Sequence, residues 1–481
     1  MGAEVQLGRR GFLTGAAAAV AAAGSTACAP SATVPPVQAV QEVAEVHEAG
    51  AQPVDSRPNI LVIVTDDQPK YLAEALPKTR RWLVDQGVEF TSAHATTPLC
   101  CPSRSSIFSG RYAHNHGVRD NYLKLNLDQN TTFQRHLKDA GYRNGMFGKY
   151  LNEWRIKMPP EHFEDFAVLS PVGYVDGRFN RNGEIAKLPG YTTHHIRDFA
   201  LEFVRQGTRD PRPWCAYVAP YGSHAPFTPE EQYADAPVSA WQGRPSVAET
   251  DKSDKPPYLR DAHTSLSRGR TVRREQARTL MSVDDTVGAL HDELKATGQL
   301  DNTLVIFIGD NGYLWGDHGW GRKSVPYRPA YEVPFFLSWP AGGLASGTKD
   351  DRIVANIDVS ATVLDAAGVT PSTPQDGRSV LGPDERDHLL LEFWRQGGDR
   401  RPPHSWASYV SKTEQYTEYY ALQTGPAGVP VGSGRVVFRE YYDLADDPYQ
   451  LVNKLYGASP QDEQSWGIPG LVSRLAADRL S

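Results

Sequence analysis

The chain contains the stretch Asn59-Ile60-Leu61-Val62-Ile63-Val64, an unbroken apolar run that leads directly into Thr65-Asp66-Asp67. Unbroken rather than alternating apolar residues indicate a strand that is buried on both faces, as in a parallel sheet. Three further runs of this kind also lead into polar residues: 143–147 before Gly148-Lys149-Tyr150, 214–218 before Ser223-His224, and 304–308 before Gly309-Asp310-Asn311. The pattern predicts four buried strands whose ends carry side chains suited to chemistry.

Helical patterns separate these runs, at residues 77–86, 131–140, 196–206 and 273–297. Alternating strands and helices predict an α/β fold with a large, doubly wound, mostly parallel sheet. Ligands bind such sheets beyond the carboxyl ends of the strands. We therefore expect one site that gathers the polar residues following the four runs: Asp66, Asp67, Lys149, His224, Asp310 and Asn311.

The last quarter of the chain has a different pattern, with short strand candidates at 388–394, 407–411, 419–423 and 436–442 and a closing helix at 471–480. Short strands joined by turns predict a smaller antiparallel α+β subdomain. We expect a catalytic domain over 57–385 and a C-terminal subdomain over 386–481.

The N-terminus has the features of an export signal. Arg9-Arg10 precedes Phe12-Leu13 and an alanine-rich apolar run, a combination typical of bacterial twin-arginine signals. The run is too short to span a bilayer as a helix. Residues 1–28 are therefore predicted to be an export signal, ending either in simple cleavage or in lipid attachment at Cys28. Residues 29–56 are predicted to be a flexible linker, and the protein is expected in the bacterial cell envelope or outside the cell.

Composition excludes several classes of protein. The 481 residues carry a net charge of -7, which argues against general nucleic-acid binding because that activity needs a basic face. Four cysteines are too few for a disulfide framework, and their spacing matches no zinc-finger pattern.

The acids at the predicted strand ends suggest a metal site. Asp66 and Asp67 are adjacent, and neighbouring carboxylates repel each other unless a cation or a proton intervenes. With Asp310 and Asn311 they form an oxygen-only set, which favours a hard divalent ion such as Ca²⁺, bound at about 2.3–2.6 Å. The alternative, that these acids only cap helices, is weakened by their position beyond two separate buried strands.

A second stretch, Cys100-Cys101-Pro102-Ser103-Arg104, suits the start of a helix, since proline is favoured in the first turn. The helix start and the planar guanidinium of Arg104 together favour an anion. With Lys149 and Lys323 they describe a pocket for a tetrahedral oxyanion, either a sulfate or a phosphate ester. His224 is a candidate proton donor, whereas His114 and His116 fit either a functional or a loop-packing role.

These residues resemble the signature of the sulfatases, C-x-P-S-R followed by T/S-G-R/K, which here is Cys100 to Arg104 with Ser109-Gly110-Arg111. The resemblance extends over about 57–455. The adjacent cysteines, the loop 112–116 and the segment 149–153 are most similar to the N-acetylglucosamine-6-sulfatase and bacterial arylsulfatase branch. The resemblance implies an alkaline-phosphatase-like fold and hydrolysis of carbohydrate 6-O-sulfates or aryl sulfates.

In this family the signature cysteine is oxidised to formylglycine, which the resemblance assigns to Cys100 and which requires a formylglycine-generating enzyme as partner. The hydrated aldehyde would attack sulfur while held on one Ca²⁺ with Asp66, Asp67, Asp310 and Asn311. Lys149, Lys323 and Arg104 would stabilise the developing charge, and His224 or Lys323 would protonate the leaving alcohol.

The chain departs from the family pattern two residues after Lys149, where Leu151 replaces the histidine of many sulfatases. The general base is therefore open: Asn152 would orient the hydrate, and His318 is a second candidate for contact with substrate, with a loop-packing role as its alternative. Two other functions remain open, a phosphonate or phosphate ester hydrolase of the same superfamily and an inactive protein that binds sulfated glycans.

Overall fold

Two β-sheets and the helices around them make up the part of the chain that this computed structural model describes, which is residues 56–344, 346–395, 403–421 and 434–481. The export signal predicted over 1–28, with Cys28, and nearly all of the predicted linker lie outside these residues. No helix within them is long and apolar enough to cross a membrane.

Fourteen strands are found among the described residues. In chain order they are β1 (Asn59–Thr65), β2 (Val88–His94), β3 (Arg143–Gly148), β4 (Asp165–Leu169), β5 (Arg178–Arg181), β6 (Glu184–Lys187), β7 (Trp214–Ala219), β8 (Thr303–Gly309), β9 (Phe335–Ser338), β10 (Thr348–Ala355), β11 (His388–Phe393), β12 (Trp406–Ser411), β13 (Glu414–Tyr420) and β14 (Val436–Asp443).

Eleven α-helices accompany them in the described ranges. They are α1 (Pro77–Leu83), α2 (Cys100–Ser109), α3 (Ala113–His116), α4 (Phe133–Asp139), α5 (Thr192–Gln206), α6 (Pro257–Arg260), α7 (Leu266–Ala296), α8 (Arg328–Tyr331), α9 (Asp358–Ala366), α10 (Pro460–Ser465) and α11 (Ile468–Asp478). Short 3-10 turns such as Asp317–Gly319 connect some of them.

The large sheet has ten strands in the order β10-β2-β9-β8-β1-β7-β3-β4-β5-β6. The four strands predicted from unbroken apolar runs are its contiguous centre, β8-β1-β7-β3, and they are all parallel. Antiparallel pairing is confined to the flanks, where β9, β5 and β6 run against their neighbours. The predicted fold class, a large mostly parallel sheet with a separate smaller antiparallel sheet, is confirmed.

The apolar runs are unbroken because the sheet has a core on each face. In β1, Ile60, Val62 and Val64 pack into one cluster. The alternate residues Leu61 and Ile63 pack into the other. Each fully buried aliphatic side chain contributes about 1.5–3 kcal/mol, so polar residues are tolerated only where the strand ends. This is why the chemistry begins at Asp66.

The smaller sheet, β11-β12-β13-β14, is antiparallel. A strand predicted at 419–423 was placed too late, because β13 begins at Glu414. Gln415 and Thr417 are buried in this strand and are hydrogen-bonded to the Ser408 hydroxyl, so its buried face does not look apolar in the sequence. The described residues from 56 onward belong to one compact unit, and the proposed division between 385 and 386 stays a prediction.

Helix α7 also begins earlier than predicted, at Leu266 rather than 273. The Ser265 hydroxyl caps it by accepting a hydrogen bond from the Arg268 amide at 3.2 Å. The first two turns carry arginines and Gly269 rather than apolar residues at helical spacing, so hydropathy alone does not reveal them.

Candidate active site

The strand ends bring four predicted residues together. Strand β1 pairs with β8 so that Thr65 lies opposite Gly309, and the next residues are Asp66 and Asp310. The Asp67 amide donates to Asp310 Oδ1 at 3.0 Å, and Asn311 Nδ2 donates to Asp67 Oδ1 at 2.8 Å. All four side chains are buried, so the acids need positive partners.

Helix α2 delivers the cysteine to this cluster. Cys100 is its first residue and Pro102 its third, and every residue of the helix is buried. The Cys100 sulfur lies 3.3 Å from Asp66 Oδ1 and 3.7 Å from Asp67 Oδ1. Ser103 fixes the helix to the end of β8, because its hydroxyl donates to the Asp310 carbonyl.

Three cations complete the cluster. Arg104 Nε donates to Asp310 Oδ2 at 2.9 Å, and the Arg104 Nη2 atom is buried without a hydrogen-bond partner among the described residues. The Lys149 ammonium donates to Asp66. The Lys323 ammonium contacts Asp67 and lies 2.7 Å from the Cys100 sulfur and 3.3 Å from Asn311 Oδ1.

The opposite charges in the cluster shift the pKa values of Asp66 and Lys323 so that both side chains stay charged. Burial alone would raise the pKa of Asp66, but Lys149, His224, Arg104 and Lys323 together hold it well below its usual range. Burial would lower the pKa of Lys323, but Asp67 and the other acids raise it well above its usual value. Burial and Asp66 raise the pKa of the Cys100 thiol. The unmodified thiol is therefore protonated and a weak nucleophile, since the thiolate is the reactive form.

His224 is oriented towards the cluster by its neighbours. Its Nδ1 lies 2.7 Å from the Ala225 carbonyl and 2.7 Å from the Tyr221 hydroxyl. Because a carbonyl only accepts, Nδ1 donates to it, and the other nitrogen, Nε2, lies 3.7 Å from Asp67 Oδ2. The imidazole can therefore present Nε2 to a group bound at the cluster.

Asn152 and His318 are not among the described residues that contact the Cys100 sulfur, which are Asp66, Asp67 and Lys323. Asn152 is half-buried, and its Oδ1 has no hydrogen-bond partner among the described residues. Its backbone lies against the thiol of Cys101, not that of Cys100. His318 is buried with Nδ1 2.7 Å from Glu249 Oε2 and its ring 4.3 Å from that of Tyr327. The roles suggested for both residues stay predictions.

His114 and His116 hold loops together. His114 Nδ1 lies 3.1 Å from Glu392 of the smaller sheet. His116 accepts from the Val118 amide at 3.1 Å and lies 3.1 Å from the Ser106 hydroxyl. These contacts favour the packing alternative for both histidines.

Gln276 was not identified from the sequence, and it holds the backbone beside the acids by hydrogen bonds. Gln276 lies in α7, and its Nε2 donates to the Asp67 carbonyl at 3.0 Å and to the Ser223 carbonyl at 3.2 Å. Trp315 in turn donates to Gln276 Oε1 at 2.6 Å. A buried glutamine in a long helix has no motif around it, so only the fold reveals this support.

The donor set fits a divalent cation. Asp66, Asp67, Cys100 and His224 offer ligand atoms that all lie within 4.8 Å of one another, and the predicted ligand Asn311 contacts Asp67. The positively charged Lys323 ammonium lies among three of these groups, which is the position a cation would favour. Carboxylate and amide oxygens in a flexible set suit Ca²⁺.

A cavity of about 520 Å³ opens beside the cluster. It is lined at one end by Asp67, His224 and Lys323, and further out by residues of α7 and of the loop after β8. We refer to it as the outer pocket. Its size is suited to a small-molecule ligand.

Comparison with known proteins identifies the family. The sulfatase family model matches residues 58–369, and the model described as "N-sulphoglucosamine sulphohydrolase, C-terminal" matches residues 316–466. A relative described as "Putative extracellular sulfatase Sulf-1 homolog" of Caenorhabditis elegans is 32% identical over 68% of this chain, which spans 49% of that relative's length. The human N-acetylglucosamine-6-sulfatase is 29% identical over 82% of this chain and 81% of its own.

A solved structure shows the same fold. That structure is of another protein in complex with its substrate D-glucosamine-2-N,6-O-disulfate. It matches this chain with a TM-score of 0.75 and 21% identity, over 88% of this chain and 97% of the other. The family match covers well over half of the chain and includes Asp66, Cys100, Arg104, Lys149 and Asp310. The chain therefore belongs to the sulfatase family.

Proposed function

We propose that this protein hydrolyses sulfate monoesters, either carbohydrate 6-O-sulfates or aryl sulfates, to inorganic sulfate and an alcohol. The observation that carries the proposal is the buried convergence of Cys100 with two strand-end acids, Asp66 and Asp67, and three cations. Sulfatase relatives that match over most of the chain support it.

The proposal includes conversion of Cys100 to formylglycine by a formylglycine-generating enzyme. The aldehyde hydrate supplies two hydroxyls on one carbon, one to attack sulfur and one to expel sulfate afterwards. The signature residues from Cys100 to Arg104 lie at the start of α2, and the raised pKa of the thiol makes unmodified Cys100 a poor nucleophile.

A Ca²⁺ ion held by Asp66, Asp67, Asp310, Asn311 and residue 100 would lower the pKa of the attacking hydroxyl and polarise the ester. Asp310 also orients the chain's own groups, because it accepts from the Asp67 amide and from Arg104. The Arg104 Nη2 atom lies 3.8 Å from Asp66 Oδ2 and has no hydrogen-bond partner among the described residues, so its N–H groups would bind an ester oxygen.

Basic side chains and one asparagine are proposed to carry out the remaining steps. Lys149, Lys323 and Arg104 offset negative charge on the group in transfer, where burial strengthens each interaction. His224 Nε2 faces the cluster and donates a proton to the leaving alcohol, with Nδ1 anchored on Ala225. Asn152 and His318 are proposed as an orienting group and a substrate contact, respectively.

The proposed location is the bacterial cell envelope or the exterior, with export through the twin-arginine signal at 1–28, which ends in either simple cleavage or lipid attachment at Cys28. An extracellular relative supports a secreted role. A Cys28→Ala variant that stays in the membrane fraction of cells would exclude the lipid anchor.

Rates on an aryl sulfate and on an aryl phosphonate, measured side by side, test the proposal. We expect the sulfate to be hydrolysed faster. A strong preference for phosphorus would assign the protein to the phosphonate and phosphate ester hydrolases of the superfamily. No turnover by protein that carries formylglycine would favour an inactive sulfated-glycan binding protein.

A further inference from the structure

Two arginines line the outer pocket beyond the catalytic cluster. Arg268 lies in the first turn of α7, and Arg322 precedes Lys323 in the loop after β8. Both side chains are exposed, and neither forms an ion pair with a carboxylate among the described residues. The protein as a whole carries a net charge of -7, so two neighbouring arginines without acidic partners make the charge of this pocket opposite in sign to that of the whole protein.

The pocket lining offers these arginines no negative partner. Among the described residues, Asp67 is the only acid that lines it, and Asp67 already contacts Lys323 and Asn311. By contrast, Arg244 nearby has a bidentate partner in Asp317, at 2.7 Å for both contacts. The outer pocket is therefore a region of positive potential that a ligand, not the protein, would neutralise.

Both arginines are attached to backbone that is firmly held. Gly269, the next residue after Arg268, packs so closely on the Trp315 carbonyl that a Cβ atom there would lie 1.8 Å from the oxygen. The Arg322 carbonyl accepts a hydrogen bond from the Leu314 amide at 2.8 Å. The two guanidiniums thus extend from fixed points, and each keeps a flexible side chain for adjusting to a ligand.

An aromatic side chain lines the same pocket as the two arginines. Tyr313 itself lines the pocket and packs edge-on against Phe227, with ring centroids 5.9 Å apart. An aromatic wall and two cations suit a sugar ring that bears an anionic substituent.

We propose that Arg268 and Arg322 bind a second anionic group of the substrate, so that the preferred substrate is a carbohydrate sulfate with a further carboxylate or sulfate near the scissile ester. This inference rests on the proposed function. The single negative charge of the scissile sulfate is met by Lys149, Lys323 and Arg104 in the cluster. The two arginines are additional, and guanidinium groups bind carboxylate and sulfate oxygens in a bidentate manner.

Binding to the full-length Cys100→Ala protein with calcium present tests this inference without depending on turnover. The probes are N-acetylglucosamine 6-sulfate, N-sulfoglucosamine 6-sulfate, and a disaccharide in which a uronic acid is joined to N-acetylglucosamine 6-sulfate. We expect at least one of the two probes with an extra anion to bind about tenfold more tightly than the first. The probe that gains affinity identifies the second group as sulfate or carboxylate.

The same measurement in Cys100→Ala protein that also carries Arg268→Gln and Arg322→Gln should abolish this preference. Arg81→Gln is the matched control, because Arg81 is an exposed arginine on α1 that lines a different cavity. Equal affinities for all three sugars, no binding of any, or a preference that survives loss of both arginines would each overturn the inference. Failure of the unsubstituted enzyme to release sulfate, with the binding preference intact, would instead overturn only the proposed function.

Discussion

At the scale of single residues, Cys100 and Cys101 begin the same helix but have different surroundings. The Cys100 sulfur contacts Asp66, Asp67 and Lys323. Cys101 packs within the apolar core on one face of the sheet. Burial raises the pKa of Cys101 to about 12, although the Asn152 backbone opposes the rise. Only Cys100 is placed to take part in chemistry.

Replacing each cysteine in turn tests this difference. Cys100→Ala should lower kcat for sulfate ester hydrolysis by roughly 10⁴-fold or more, because it removes the nucleophile. Cys101→Ala should retain kcat within about threefold and lose about 1 kcal/mol of stability through the small cavity it leaves. Steady-state kinetics and denaturant unfolding measure both effects. Equal losses of kcat would mean that the wrong cysteine has been assigned.

Asp310 offers a test of the metal site that does not depend on activity. Asp310→Asn removes one negative charge and weakens the hydrogen bond to Arg104. We expect the calcium affinity, measured by titration calorimetry on purified protein, to fall by roughly 100-fold or more. Asp292→Asn, on the exposed face of α7, is the control and should leave it unchanged. Unaltered calcium binding by Asp310→Asn would remove this residue from the ligand set.

The residues that sequence could predict are those that follow buried strands. Asp66, Lys149, His224 and Asp310 were found because each comes after an unbroken apolar run, and parallel strands end at the same edge. Gln276 could not be found, since it reaches the site from the middle of a helix. The contact of His318 with Glu249, which are far apart in sequence, was equally hidden.

At the scale of elements, α1 depends on a helix distant in sequence. Its N-cap residue, Leu76, provides no capping side chain. Instead Asp284 of α7 accepts from the Lys78 amide at 3.0 Å and from the Thr79 amide and hydroxyl, both at 2.8 Å. One carboxylate therefore satisfies the free N–H groups of α1 and joins the two helices.

Asp284→Ala should destabilise the protein by about 2 kcal/mol, because it removes the cap of α1 and leaves the buried Thr79 amide and hydroxyl without their partner. Asp292→Ala in the same helix should cost less than about 0.5 kcal/mol, since its side chain is 83% exposed. Urea unfolding of the two variants provides the comparison. Similar values for both would show that the capping contacts contribute little.

The same elements show the limits of pattern reading. The start of α7 was missed because a serine cap and several arginines precede its apolar stripe. Strand β13 was placed late because its buried Gln415 and Thr417 satisfy each other and Ser408 through hydrogen bonds. In both places tertiary contacts, rather than local hydropathy, determine the boundary.

At the scale of the whole molecule, His94 and His116 are two buried histidines of the described residues whose pKa values are lowered. Burial lowers the pKa of His94 to about 4 and that of His116 to about 3, and nearby cations contribute in each case. When folding lowers the pKa of a histidine, the folded protein is most stable at pH values above the unfolded-state pKa of about 6.5. As the pH falls below that value, the unfolded chain binds the proton more readily and the free energy of unfolding decreases. The protein should therefore be sensitive to acid below about pH 6.5.

The free energy of unfolding should fall less between pH 7 and pH 5 in the His116→Asn variant than in the unsubstituted protein, by about 2 kcal/mol. The figure corresponds to the roughly 1.5 pH units between the unfolded-state pKa of about 6.5 and pH 5, at about 1.36 kcal/mol each. His388 provides a control of opposite sign. A hydrogen bond to Asp478 raises its pKa, so the stability it contributes is present below about pH 6.5 and is lost as the pH rises through the folded value. Denaturant unfolding at several pH values tests both histidines. If the free energy of unfolding of the His116→Asn variant depended on pH as steeply as that of the unsubstituted protein, the lowered pKa of His116 would be refuted.

The large sheet was predictable because its centre is made of strands buried on both faces. Its outer strands were not, because β5 and β6 are short and partly polar. The segment 236–270, expected from sequence to shape the substrate pocket, contributes Thr264 and Arg268 to the outer pocket, but the way the start of α7 meets the loop after β8 depends on tertiary packing. Sequence thus located the chemistry at one sheet edge, while the arrangement of the surface that would select a substrate emerged only from the folded chain.

Sulfate release from an aryl sulfate and from carbohydrate 6-O-sulfates, with and without a second anionic group, is the most direct test of the central claim, that this protein is a sulfate ester hydrolase acting through modified Cys100. The assay should use full-length protein in which mass spectrometry of the Cys100 peptide has shown the aldehyde, with Cys100→Ala protein alongside. We predict release of inorganic sulfate by the modified enzyme and none above background by the variant. Equal release by both proteins, or no release from any of these esters by protein that carries the aldehyde, would contradict the account.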